Sequence, residues 1–268
     1  MKRPKVSVIM SVYNEEQYIA ETVESILNQT FSDFEFIIID DGSEDKTYDV
    51  LKTFNDPRMR IVRQQNMGLT KSLNKGIELS KGEYIARADA QDIYVPTRFE
   101  KQVNFLDKNK KVAAVSNWVR YVDEEGNLIS EKKLPTSSVQ IKRKLGFSNS
   151  MVHSSVMIRK SALIDIGGYN ESLPYAQDYD LWLRLSQKYE LANIPEFLCT
   201  VRILRKGVSL SKENLQIKCA LKALSNGIKR GQYSWIIYFH PSNIRRFFSS
   251  ITPQSIKAIK RRLIGWNR

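Results

Sequence analysis

The chain has 268 residues, 42% of them apolar, enough for one large domain or one domain with an appendage. Its two cysteines, Cys199 and Cys219, and two histidines, His153 and His240, form no metal-ligand spacing, which argues against a His-rich zinc site; a reducing compartment is the simple reading, with a disulfide as the alternative. The net charge of +13 is uneven: no Asp or Glu follows Glu213, and the last 55 residues hold eleven Lys and Arg, leaving +2 on the first 213.

The first apolar run follows Lys2, Arg3 and Lys5 in the manner of a signal peptide. It is too short for one and ends in Asn14-Glu15-Glu16, so a strand is expected over 5–12. Further strands are expected over 34–40, 60–63 and 83–88, with helices over 15–29, 44–54 and 69–80. Ile19, Val23, Ile26 and Leu27 give the first helix its apolar face, and Asn14 could cap it. This alternation implies an α/β fold with a parallel sheet and helices on both faces. A helix after Pro96 places Phe99, Val103 and Leu106 on one side. Val112 to Val122 reads as a strand, Asp123 to Asn127 as a turn, and a short return strand follows. Residues 134–150 have no clear period. Val152 to Ile158 is strand-like, 176–189 helical, 196–203 a last strand and 211–230 a basic helix. Pro241 and Pro253 break the tail. No stretch reaches the roughly 18 uninterrupted apolar residues of a spanning helix.

The ends of the strands carry the chemistry. Ser11-Val12-Tyr13-Asn14-Glu15 and Asp40-Asp41-Gly42-Ser43 each follow an apolar run. In open α/β sheets ligands sit at those ends. Tyr13 could stack on a base and Asp41 could accept from a base N–H, although a polar loop with an Asx turn would look the same. Asp89-Ala90-Gln91-Asp92 follows the strand 83–88, either as a ligand loop or as a turn that caps the helix after Pro96. Asp178 and Asp180 stand at the start of a helix, where acidic residues are common for electrostatic reasons alone.

Further blocks are Asn66-Met-Gly68-Leu69, Leu73-Asn74-Lys-Gly76, Gly82 to Ile93, Pro96 with Arg98 and Gln102, Gly167 to Glu171, and Asp178-Tyr-Asp180-Leu-Trp182-Leu-Arg184. In this order, across roughly residues 4 to 205, the set resembles the family 2 glycosyltransferases. The resemblance implies a GT-A-like, mostly parallel sheet flanked by helices over 1–210, followed by a basic helical extension over 211–268. It implies an inverting enzyme that moves a sugar from a nucleotide-sugar donor to a glycan or lipid-linked acceptor during cell-surface polysaccharide biosynthesis. It assigns Ser11, Val12, Tyr13, Glu15, Asp41, Asp89 and Ala90 to the nucleotide, and Asp178 to the general base. It assigns Mg²⁺ or Mn²⁺ to Asp89, Gln91 and Asp92.

The sequence departs from the family pattern at three positions, one of them Leu204 of Arg202-Ile203-Leu204, where many relatives have the His of an Arg-x-His. Gln91 stands where the family usually has an acidic metal ligand, and a neutral amide attracts a divalent ion less. A weakly held metal, a shift of Asp92 toward it, or lost activity would follow. Gln177-Asp178 replaces an acidic pair but keeps the base position. Gln91 and Gln177 leave open a non-catalytic, nucleotide-binding or scaffolding member. Arg87, Lys71, His153 and Arg202 are further candidates, for phosphate contacts or for structural roles. In the tail, Trp235 to Phe239, Phe247-Phe248 and Leu263 to Trp266 alternate with Arg245-Arg246 and Lys260-Arg261-Arg262. This pattern suits an anionic membrane surface, which would place the protein in the cytoplasm on the inner face of the plasma membrane. It also suits packing on the catalytic domain. A nucleic-acid partner would leave the first 200 residues unexplained, and none is expected.

Overall fold

The computed structural model describes residues 3–204 and 212–251. Its N-terminal half is a parallel half-sheet. Strand β1 (Val6–Val12) lies between β2 (Phe34–Asp40) and β4 (Tyr84–Ala88), and β3 (Met59–Arg63) forms an outer edge. All these pairings are parallel. Helices α1 (Ile19–Leu27), α2 (Thr47–Lys52) and α3 (Leu69–Leu79) connect the strands. Successive side chains on a strand face opposite ways. Val6, Val8 and Met10 therefore enter one core with Ile19, Val23 and Ile26 of α1. Ile9 enters a second core with Leu73 and Ile77 of α3. A strand buried on both faces must be apolar throughout, which is why these runs do not alternate with polar residues.

The second half is mixed. It contains β5 (Ile93–Tyr94), α4 (Arg98–Lys108), β6 (Val112–Val122), β7 (Leu128–Lys132), α5 (Ser138–Leu145), a 3₁₀ turn (His153–Ser155), β8 (Met157–Arg159), α6 (Lys160–Asp165), α7 (Gln177–Lys188) and β9 (Glu190–Arg202). Strand β8 runs antiparallel to both β4 and β6 and joins the halves. Strand β6 pairs parallel with β9 and antiparallel with β7, and β5 pairs antiparallel with β9. The parallel expectation thus holds for the first half, and the whole is a mixed sheet flanked by helices.

Several expected boundaries move. Helix α1 starts at Ile19, because residues 15–18 form a turn with the Tyr18 and Ile19 N–H groups donating to the Glu15 carbonyl. The 134–150 segment contains α5, capped by the Ser137 hydroxyl. Only the end of 152–158 is strand. Pro241 begins a helix instead of breaking one, since a first-turn proline lacks only an N–H that has no helical partner.

The extension is helical where it is described: α8 (Glu213–Lys229), a 3₁₀ turn (Trp235–Phe239) and α9 (Pro241–Ile251). Ala223 and Leu224 of α8 are buried in the second core with Trp182 and Leu185 of α7. The expected tail features at Pro253, Lys260–Arg262 and Leu263–Trp266 lie outside the described residues. Among the described residues no helix is long and apolar enough to cross a membrane.

Candidate active site

Two loops at the C-terminal ends of β1 and β2 form one wall. The Asn14 N–H donates to Ser43 Oγ at 3.1 Å, and Asn14 Oδ1 accepts from the Glu44 N–H at 2.8 Å. Asn14 takes a left-handed conformation (φ 55°) to make both contacts, so it locks loop to loop instead of capping α1. The Glu15 N–H donates to Thr47 Oγ1 at 2.8 Å. Tyr13 is left 42% exposed. Ser11 is half-buried and Val12 buried beneath it.

Asp41 is less free than its motif suggests. Its carboxylate accepts from Gln64 Nε2, the Met67 N–H and the Gly68 N–H at 2.8–2.9 Å, which closes the β3–α3 loop over it. A carboxylate has about four acceptor sites, so these three bonds leave about one. Gly42 permits this closure: it has a positive φ, and a Cβ there would lie 2.9 Å from the Asn66 nitrogen.

Asp89 is the electrostatic centre. Arg87, buried at the end of β4, donates to its carboxylate, and the Asp89 N–H donates to Tyr94 Oη at 2.8 Å. The Asp89 charge acts on Glu15, Asp92, Tyr169 and Asp178. Burial, then Asp89 and Asp45, pushes Glu15 up to about 7. Burial, then Asp89, pushes Asp92 up to about 8.

Ala90 is buried behind Asp89, and Gln91 is half-exposed beside it. Asp92 points inward, 1% exposed, and its Oδ1 accepts from the Arg202 N–H at 3.2 Å. Arg202 is also committed to structure: it donates to Glu21 Oε2 at 2.7 Å and to the Glu124 carbonyl at 3.0 Å, and lies over the Tyr18 ring. Among the described residues no cluster of three His, Cys, Asp or Glu could cage a metal. One half-exposed carboxylate with a neighbouring amide oxygen does fit Mg²⁺ or Mn²⁺ that brings phosphate oxygens and water as its other ligands.

Asp178 occupies the first turn of α7. The turn into α7 passes through Ala176 in the left-handed region (φ 55°, ψ 26°), an uncommon conformation for a residue with a Cβ. Asn149 Nδ2 donates to Asp178 Oδ2 at 2.6 Å and fixes the carboxylate. The helix dipole should lower its pKa. Burial overrides this and, helped by Asp89, raises it. Asp180, two residues on, is buried and bonded to Arg184 Nε at 2.7 Å, and Trp182 is fully buried, so both serve packing.

Sequence reading missed the supports. Asn74 of α3 receives the Tyr169 N–H at 2.9 Å and donates to the Tyr169 carbonyl at 3.0 Å, which pins the Gly167-Gly168 turn. Tyr169 Oη lies 2.7 Å from His153 Nε2, beneath the site. Burial, then the Arg87 charge, holds His153 well below its ordinary range, in the neutral form. Arg98 and Gln102 tie α4 to the Arg87 and Ser155 carbonyls. The paired motifs Asn74/Gly168 and Arg98/Gln102 were visible as blocks; the Asn149–Asp178 contact left no local signal.

The comparisons with known proteins agree with this architecture. The family model for Glycosyl transferase family 2 matches residues 7–167. An uncharacterized glycosyltransferase of Methanocaldococcus jannaschii is 34% identical over 272 residues, covering 97% of this chain and 93% of the relative. The amylovoran biosynthesis glycosyltransferase AmsE of Erwinia amylovora is 32% identical over 246 residues, covering 86% and 91%. The mannosyltransferase of Pyrobaculum calidifontis, solved with GDP-Man and Mn²⁺, shares the fold with a TM-score of 0.68 at 16% identity, covering 99% of this chain and 81% of that one. The chain belongs to glycosyl transferase family 2, an inverting family of GT-A enzymes that transfer sugars from nucleotide-sugar donors.

Proposed function

We propose that this glycosyltransferase adds its sugar to a hydroxyl of a glycan or lipid-linked acceptor in the assembly of a cell-surface polysaccharide. The observation that carries the reading is Asp178: a carboxylate at the start of α7, held by Asn149 Nδ2 at 2.6 Å and within the field of the Asp89 charge. The amylovoran enzyme's name supports the pathway class. Tyr13 stacks on the donor base, and Asp41 accepts its N–H. Asp89 and Gln91 would hold Mg²⁺ or Mn²⁺, which supplies positive charge to the leaving diphosphate. The acceptor oxygen attacks the anomeric carbon as the bond to the diphosphate breaks, which inverts the centre. Asp178 receives the hydroxyl proton, and its raised pKa makes it a stronger base than an ordinary aspartate. His153 and Tyr169 hold the floor and take no proton.

A panel of nucleotide sugars tests the reading. At least one should raise the melting temperature and support transfer to an added glycan or lipid-linked sugar. A donor that binds without any transfer to either class would favour a non-catalytic member. The division at residue 210 remains a proposal too, since α8 shares its core with α7.

The extension, in this reading, rests on an anionic membrane surface. Trp235, Phe239 and Phe247 are 64%, 63% and 56% exposed, with Arg245 among them. Aromatics beside cations suit an anionic headgroup layer. Phe247→Ser with Trp235→Ser should release the protein from phosphatidylglycerol vesicles. Unchanged sedimentation, or equal binding to neutral lipid, would reject the contact.

A further inference from the structure

Beside α5 lie cations outside the set that holds the donor or takes the proton. Lys142, Arg143 and Lys144 form the last turn of α5, and Lys132 and Lys133 stand at the end of β7. Cations in a helix's last turn are ordinary, because they face its negative end. Lys132 is different. It comes from another element, is half-buried, and lies within reach of both the Lys144 and Asp178 charges. Burial, then Lys144, pulls its ammonium below the usual range, and Asp178 acts against them. Among the described residues no carboxylate lies at ion-pair distance from any of the five. Charges concentrated this way repel one another unless an anion joins them.

A cavity of about 380 Å³ opens here, lined by Lys133, Pro135, Gln140, Arg143, Lys144 and Phe147. Phe147 belongs to the same short loop as Asn149, whose amide fixes Asp178. The Phe147 ring stacks on His240 at 4.1 Å, and Asn243 Nδ2 donates to the Gly146 carbonyl at 2.9 Å, so the extension braces this loop from behind. The cationic cavity and the proposed base therefore share one rigid support.

We propose that the acceptor is an anionic glycan, whose phosphate or carboxylate groups bind Lys132, Lys133, Arg143 and Lys144 while its hydroxyl reaches Asp178. The anion offsets the repulsion between Lys132 and Lys144 through charge-assisted hydrogen bonds. The inference deepens the transfer reading and rests on Asp178 as the base.

The test is calorimetric binding of three soluble probes to the full chain: an oligouronate, a glycerol phosphate oligomer and a neutral glucan of equal length. The nucleoside diphosphate it binds is kept in excess, so that no probe enters the donor pocket. At least one anionic probe should bind about tenfold tighter than the glucan. The tighter anion identifies whether carboxylate or phosphate is read. Arg143→Gln with Lys144→Gln, and separately Lys132→Met, should each cut that preference several-fold with unchanged melting temperature, on the scale of about two- to threefold per half-exposed charge. Equal affinity for all three probes, or variants that keep the full preference, would overturn the proposal. Asp178→Asn separates the two readings. It should lose transfer and keep anion binding. If it keeps transfer, the base assignment fails, and the probe affinities still decide the groove.

Discussion

Glu15→Gln should stabilise the protein at alkaline pH and not at acid pH. Burial, Asp89 and Asp45 push the Glu15 carboxyl from its ordinary 4.5 to about 7. Between those values the folded chain holds a proton that the unfolded chain has lost. Stability therefore falls as pH rises through that window and is level above it. At about 1.36 kcal/mol per pH unit, the ceiling is about 3.4 kcal/mol. Partial exposure and local relaxation reduce the expected effect to about 1–2 kcal/mol. Gln keeps the shape and removes the charge, and the Glu15 N–H bond to Thr47 Oγ1 does not depend on the side chain. Urea unfolding of both proteins should give a difference of about 1–2 kcal/mol near pH 8.5 and almost none near pH 4, corresponding to several degrees in melting temperature. The raised Asp92 is common to both proteins and cancels. A difference independent of pH would refute the crowding of carboxylates around Asp89.

Asn149→Ala should slow transfer about tenfold or more with donor affinity unchanged, since its amide orients the base without touching the nucleotide. Because that bond lowers the Asp178 pKa, the acid limb of the rate profile should move to higher pH; an unmoved limb would make Asn149 merely structural. Gln91→Asp should lower the Mn²⁺ concentration needed for half-maximal nucleotide binding, by adding a charged ligand. An unchanged titration would mean that residue 91 faces away from the ion. Leu224→Ala, at a fully buried site between α8 and α7, should cost about 2–5 kcal/mol in denaturant unfolding. A loss under about 1 kcal/mol would show that α8 contributes little to the core.

Much of the parallel half was legible because its signals are local. Strand 34–40, and in the mixed half strand 112–122, are found where the apolar runs place them. The helix start at Ile19 was not legible, because Asn14 and Glu16 spend their bonding capacity on the neighbouring loop, a long-range contact. Strand β9 begins six residues early. Pro195 argues against a strand there, but the pairing with β6 skips from Ile194 to Phe197, and the bulge absorbs the proline. Tyr13, Asp41, Asp89 and Asp178 stand at strand and helix ends, where their motifs place them. The inward turn of Asp92 does not follow from a motif, because it depends on an Arg202 N–H 110 residues away. Nor does the raised Asp178 pKa, because burial is a property of the assembled walls.

The most direct measurement is the initial rate of sugar transfer by Asp178→Asn at saturating donor, paired with its nucleotide affinity. Asn preserves the side-chain shape and cannot take the acceptor proton. The account predicts a rate loss of about 10²-fold or more, with nucleotide affinity little changed. Near wild-type transfer by this variant would contradict it.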